Sequence, residues 1–309
     1  MTTIWSKIKR AIKDPCTRFG YMRALGLTNA IPDKRFLEKE FYFAMHKKLN
    51  VEDPKTFNEK LQWLKLYNRD PRYTIMVDKY KAREYVKETI GEEYLIPLLG
   101  VWDNPEQINF ETLPDQFVLK CNHNSGTGMY ICKNKNEMDI DKVKKRLWKG
   151  LKEDYYLLHR EWPYKDVPRK IIAEKYMSEP EKQSLTDYKL MCFDGRVEYS
   201  FTCTNRFGEG ELYVNFYDRE WNPMPFIRKY PKNPVEIKKP RDYEKMVQLA
   251  EKVSQGIPFL RVDFYECAEK LYWGEFTFFP GAGIEEFYPE EWDYKLGEMI
   301  TIDKQIVED

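Results

Sequence analysis

Leu260-Arg261-Val262-Asp263-Phe264 and Trp273-Gly274-Glu275-Phe276-Thr277 are the two stretches on which the fold turns. Each is a short apolar run of strand character that carries one acid between hydrophobic neighbours. A carboxylate inside such a run is costly unless it is paired or binds a metal. On antiparallel neighbours the two side chains can reach one face and share a cation. Two carboxylates completed by phosphate oxygens and water suit Mg²⁺. The alternative is that both acids face solvent and Arg261 pairs with one of them.

Outward from this pair, further strands are expected at 94–102, 117–121, 129–132, 170–176, 187–193, 196–204 and 211–217. Asp194-Gly195 is a hairpin turn signal between two of them. Helices are expected over 78–89, 139–152 and 242–255, and residues up to about 95 read as helical. In Thr56–Tyr67, Phe57, Leu61, Leu64 and Tyr67 recur at three- and four-residue steps, and Thr56 with Glu59 forms a capping-box signature. Helices first, then strands with hairpins, point to an α+β fold with largely antiparallel sheets.

Composition narrows the function. The 309 residues can bury a substantial core, and 16% aromatics exclude a disordered chain. Lys+Arg and Asp+Glu both number 51, and a net charge of zero argues against a nucleic-acid partner. Cysteines 16, 121, 132, 192, 203 and 267 form no CxxC pair, so a structural zinc site is not expected and the thiols read as reduced and mostly buried. Met1–Gly20 is charged throughout, so no signal peptide is expected, and no run is apolar enough to span a membrane. Lys7, Lys9, Arg10, Lys13, Arg18 and Arg23 oppose Asp14 among apolar residues. Such a helix suits packing on its own domain or lying on an anionic membrane surface.

Two further segments carry chemistry. Phe-Val-Leu-Lys120 runs into Cys-Asn-His-Asn-Ser125-Gly126-Thr127-Gly128. Gly and Ser let backbone N–H groups approach phosphate, and the lysine adds a point charge. The same segment also fits a plain hairpin turn, and it is not a Walker loop. His123 in it could touch phosphate or only stabilise the turn. Ile171-Ile172-Ala173-Glu174-Lys175-Tyr176-Met177 is an apolar strand ending in charge, and Asp187-Tyr188-Lys189-Leu190 follows.

In this order the segments resemble the ATP-grasp superfamily. Val-Asp-Lys79-Tyr-Lys-Ala-Arg resembles the segment carrying the first ATP lysine of D-alanine–D-alanine ligase and biotin carboxylase, and Lys120 matches the second. The resemblance implies a flexible lid at Asn124–Gly128, with Ser125, Gly126, Thr127 and Gly128 over the phosphates. It implies an adenine hinge at Glu174, Lys175 and Met177, a ribose-binding acid at Asp187, and Lys189 with Arg206 near the triphosphate. Arg261, Lys120 and Arg206 would be catalytic, and Asp263, Glu275 and Thr277 would hold magnesium. Thr277 stands where the superfamily usually has Asn.

Within that superfamily the chain resembles the TupA-like group, linked to bacterial surface-polysaccharide and teichuronopeptide synthesis. Lys55-Thr-Phe-Asn-Glu-Lys-Leu-Gln-Trp-Leu-Lys65, the Lys120 segment and Pro289-Glu-Glu-Trp-Asp293 with Gly297 carry this likeness, over about residues 50–303. It implies a helical N-terminal region (1–78), a lid subdomain (79–172) and a C-terminal subdomain with the metal site (173–309). It further implies ATP and Mg²⁺ as cofactors, a glycan or small-molecule acceptor, and a cytoplasmic location at or near the inner membrane face. The expected reaction is carboxylate–amine ligation through an acylphosphate. A small-molecule or sugar kinase is the alternative, because Asp187-x-Lys189 is similar to the inositol phosphate kinases. Members are also labelled glycosyltransferases, but no paired Asp-x-Asp signature is present.

Overall fold

The computed structural model describes residues 14–178, 185–204, 212–235 and 237–303. In chain order the elements are α1 (Pro15–Ala24), α2 (Asp33–Met45), α3 (Phe57–Tyr67), α4 (Arg72–Val77), α5 (Ala82–Thr89), β1 (Leu98–Trp102), β2 (Phe117–Cys121), β3 (Tyr130–Cys132), α6 (Ile140–Leu151) and α7 (Tyr156–His159). There follow β4 (Ile171–Lys175), β5 (Asp187–Phe193), β6 (Arg196–Thr204), β7 (Tyr213–Asp218), β8 (Ile227–Arg228), α8 (Tyr243–Val253), β9 (Phe259–Cys267), β10 (Lys270–Thr277), β11 (Phe287–Tyr288) and α9 (Glu291–Glu298).

The chain divides into two compact units. One comprises 1–68, 156–162 and 279–309; the other comprises 69–155 and 163–278. The second unit holds both large sheets, so its bounds are not those of the three expected subdomains.

In the first unit α3 begins as its sequence dictates. Thr56 Oγ1 accepts from the Glu59 amide at 3.2 Å, and Glu59 Oε2 accepts from the Thr56 amide at 3.0 Å. Its apolar face of Phe57, Leu61 and Leu64 is buried, but so are Asn58, Gln62 and Lys65. These three donate to backbone carbonyls of the chain just after β10: Asn58 to Glu285, Gln62 to Ala282 and Gly283, and Lys65 to Ala282. A helix that looks half-exposed by its pattern is therefore buried nearly all round, because its polar side supplies hydrogen bonds to a loop.

The expected N-terminal helix lies partly outside the described residues, Lys7, Lys9, Arg10 and Lys13 among them. Within them, Asp14 caps a fresh start at Pro15, accepting from the amides of Cys16 and Thr17. Among the described residues no helix is long and apolar enough to cross a membrane.

The second unit contains a four-stranded antiparallel sheet, order β1-β4-β2-β3, and a five-stranded one, order β10-β9-β5-β6-β7. Alternation along β2 buries Phe117, Leu119 and Cys121 with Val143, Leu147 and Leu151 of α6, which leaves Lys120 on the opposite face. Along β9, Leu260, Val262 and Phe264 are buried, and Arg261 and Asp263 alternate to the other face. The helix expected over 78–89 is shorter, starting at Ala82, because Asp78 Oδ1 accepts from the amides of Tyr80 and Lys81 and forms a turn first. Cys121, Cys132, Cys192 and Cys267 are buried, Cys203 is half-buried and Cys16 is exposed.

Candidate active site

The two acids meet through a β-bulge. Trp273 lies opposite Phe264 and Phe276 opposite Val262, so Gly274 and Glu275 together face Asp263. Without that extra residue, alternation would put Glu275 on the same face as Trp273. With it, Trp273 and Phe276 share the buried face with ring centroids 4.9 Å apart, and Glu275 joins Arg261, Asp263 and Thr277. Gly274 permits the close approach: a Cβ there would stand 2.7 Å from Cε2 of Tyr265 and 3.2 Å from the Asp263 carbonyl oxygen.

Arg261 bridges the pair. Its Nε donates to Asp263 Oδ1 at 2.7 Å, and its Nη2 donates to Asp263 Oδ2 and Glu275 Oε1, each at 2.8 Å. The expectation of solvated acids fails for Asp263, which is fully buried. Lys189, directly across from Asp263 in the ladder, donates to Asp263 Oδ2 and lies 2.5 Å from Asp187 Oδ2.

The second cluster comes from the four-stranded sheet. Lys120 Nζ lies 2.6 Å from Glu174 Oε2, and Arg83 Nη1 lies 3.4 Å from Glu174 Oε1. Lys79 is set beside this strand by its own amide, which donates to the Asn122 carbonyl at 3.1 Å. Asn122 Nδ2 donates in turn to Asp78 Oδ1 at 2.8 Å and to the Pro168 carbonyl at 2.8 Å.

The clusters feel each other. Burial pushes the Glu275 carboxyl up, but Arg261, Lys79, Lys189 and Lys120 outweigh it and hold the group at about 2. Burial lowers the Lys79 ammonium, with Glu275 pulling back up and Lys120 pushing further down. Burial also lowers Arg261, but Asp263 and Glu275 more than reverse it. Cations from both sheets therefore share one electrostatic field with the acid pair, the arrangement a polyanionic ligand with a metal requires.

The expected lid is tied down. Lys79 Nζ donates to the Asn124 carbonyl at 2.5 Å, Asn124 Nδ2 to the Gly150 carbonyl at 3.2 Å, and Thr127 Oγ1 to Glu153 Oε1 at 2.9 Å. Gly128 has φ +84, and a Cβ on it would stand 2.9 Å from the Gly150 Cα. Ser125 and Gly126 are exposed at the tip. His123 is buried, with Nε2 3.1 Å from the Glu153 carbonyl oxygen, and burial holds it neutral with its pKa lowered to about 4. That favours the structural role over an acid role.

Glu174 is the last buried residue of β4, Lys175 is exposed with its amide donating to the Pro97 carbonyl, and Met177 is half-buried. Glu174 is thus the counter-ion of Lys120 through its side chain. Thr277 lies across from Arg261. Arg206 lies outside the described residues. Arg83, Asp78, Asn122 and Glu153 were not singled out by sequence reasoning. Arg83 and Asn122 fall inside quoted motifs, but nothing in their spacing marks them.

The donor set fits a hard cation. Asp263, Glu275 and Thr277 offer only oxygen, and among the described residues no group of three or more His, Cys, Asp or Glu could hold a metal. Two carboxylates alone suit Mg²⁺, which takes its remaining ligands from phosphate and water.

Among solved structures, the D-alanine–D-alanine ligase of Bacillus anthracis complexed with ATP shares 16% identity, with a TM-score of 0.39 over 66% of this chain and 53% of that one. The Helicobacter pylori D-alanine–D-alanine ligase shares 14%, with a TM-score of 0.42 over 79% and 69%. The ATP-grasp ligase PsnB, complexed with a phosphomimetic variant of its minimal precursor, Mg and ADP, shares 11%, with a TM-score of 0.40 over 82% and 65%. The chain spans about half the length of the first of these. No curated protein matches it. Residues 59–301 match the TupA-like ATP-grasp family, which bears out the reading of an α+β ATP-grasp enzyme, and to that family the chain belongs.

Proposed function

We propose that this protein is a MgATP-dependent carboxylate–amine ligase that joins an amino acid or peptide to a bacterial surface polysaccharide or its sugar precursor. The observation that carries the nucleotide part is the bulge that sets Glu275 beside Asp263, within the field of Lys79, Lys120, Lys189 and Arg261. Asp263, Glu275 and Thr277 would hold Mg²⁺. Lys79, Lys120, Lys189 and Arg261 would neutralise charge on the phosphates, work that is mainly electrostatic. Arg206 is placed with them on the resemblance alone. Glu174, Lys175 and Met177 would border the adenine, and Asp187 the ribose. Ser125, Gly126, Thr127 and Gly128 would cover the phosphates and exclude water.

MgATP, when bound, supplies the phosphoryl group that activates a carboxylate for attack by an amine. Arg261 is then freed from its two acids to face the phosphates, so the chain keeps its cations paired until a triphosphate replaces the partners. The ligase outcome rests on the family and on the resemblance to amide-forming relatives. The acceptor class and a cytoplasmic, membrane-adjacent location rest on the TupA-like resemblance, and docking on the membrane would use the basic N-terminal segment. Phosphorus NMR of a reaction with a uronic-acid acceptor and an amine tests the outcome. The ligase reading predicts ADP, inorganic phosphate and an amide; a stable phosphoester would replace it with the kinase.

A further inference from the structure

In a chain of zero net charge, α6 with the residue after it collects Lys142, Lys144, Lys145, Arg146, Lys149 and Lys152 against Asp141. Its inner face of Val143, Leu147 and Leu151 is buried. Two of the lysines have counter-charges: Lys142 with Asp139 at 2.8 Å and Lys144 with Glu106 at 2.6 Å. Lys145, Lys149 and Lys152 are exposed and make no ion pair among the described residues. They stand at i, i+4 and i+7, one ridge roughly 10 Å long at the helical rise. Trp148, 38% exposed, lies among them, and its Nε1 donates to Glu106 Oε1 at 3.3 Å, which fixes the indole plane. These four side chains line an open cleft of about 660 Å³.

Local causes cover part of this. Cations in a last helical turn complement the helix dipole, which suits Lys149 and Lys152. Lys145 beside Lys149 is a like-charge pair four residues apart, which destabilises a helix. Neither effect calls for an exposed indole.

We propose that this ridge docks a linear carboxylated polysaccharide, its carboxylates pairing with Lys145, Lys149 and Lys152 and one sugar ring lying on the Trp148 face. Charge complementarity sets the sign of the partner. Shape sets its class: an open cleft one helical ridge long takes a single extended chain. A bilayer fits worse, because Glu106, with a 59% exposed side chain, would face the anionic headgroups and Trp148 is tied to that acid. A nucleic acid asks for a broader basic field. The surface is independent of the function proposed above and binds with or without nucleotide.

The test uses the full chain and oligogalacturonate in low salt, measured by calorimetry, beside neutral dextran oligomers, phosphatidylglycerol–phosphatidylcholine vesicles and a single-stranded oligonucleotide. Oligogalacturonate should bind, more weakly as salt rises, and dextran should not. The triple variant Lys145→Gln, Lys149→Gln, Lys152→Gln should lose about tenfold or more in affinity, as three exposed ion pairs suggest. Trp148→Ala should weaken binding separately. Both variants should keep their circular dichroism and MgATP affinity; should the triple variant unfold, Lys149→Gln alone should still weaken binding about threefold. No oligogalacturonate binding, equal binding by the variants, or tighter binding of vesicles or oligonucleotide would overturn the proposal.

Discussion

Gly274→Ala probes the bulge on which the acid pair depends. The new methyl would stand 2.7 Å from Cε2 and 3.3 Å from Cζ of Tyr265, and 3.2 Å from the Asp263 carbonyl oxygen. Carbon atoms rest about 3.5–4.0 Å apart, so the ring must withdraw by about 1 Å, and the carbonyl, held in the ladder, has less room to give. Overpacking of this kind costs about 1–3 kcal/mol, which lowers the melting midpoint of a unit this size by about 2–4 °C per kcal/mol. Relaxing the bulge moves Glu275 away from Asp263 and weakens its 2.8 Å bond to Arg261. A charge-assisted bond contributes about 1.5–3 kcal/mol, so the Kd for MgATP should rise roughly 10- to 150-fold by calorimetry. Gly20→Ala is the control: nothing lies within 4 Å of its added Cβ, and in α1 it should be neutral or stabilising by up to about 1 kcal/mol. Wild-type stability and MgATP affinity in Gly274→Ala would refute the role given to the bulge.

Asp263→Asn leaves Arg261 and Lys189 buried without their shared anion, which should cost about 3–5 kcal/mol in denaturant unfolding. His123 is lowered to about 4 in the fold from an ordinary 6.5, so the unfolded chain takes up the proton first. Its contribution is therefore complete above pH 6.5 and fades as pH falls toward 4, by at most about 3 kcal/mol. His123→Gln should flatten that part of the stability profile in acid titrations followed by circular dichroism. Gly297→Ala would place a Cβ 2.2 Å from the Lys55 carbonyl oxygen and 2.7 Å from the Thr56 carbonyl carbon. Backbone atoms cannot yield cheaply, so a loss of about 3 kcal/mol or more is expected in thermal melts.

Much of this was written in local sequence. Strands β5 and β6 run over the expected residues, because apolar alternation and the Asp194-Gly195 turn act at short range. The Thr56–Glu59 box likewise sets the start of α3. What escaped is long-range. The partnership of Lys120 with Glu174 depends on which strands pair, since Val118 lies opposite Glu174 across β2 and β4. The bulge hides because a lone glycine in a strand fits several backbones, and only the fixed partner Phe264 shows that two residues face one. The burial of Lys65, which donates to the carbonyls of His159 and Ala282, belongs to a unit assembled from three chain segments, an arrangement no window of sequence displays.

Titration of the protein with ATP by calorimetry, in excess Mg²⁺ and again in EDTA, tests the central claim most directly when repeated on Asp263→Ala and Glu275→Ala. Tight binding that needs Mg²⁺ in the wild type and is lost in both variants, with folding verified by circular dichroism, is the predicted result. MgATP affinity unchanged by either substitution, or unchanged by EDTA, would contradict a metal–nucleotide site on these two acids.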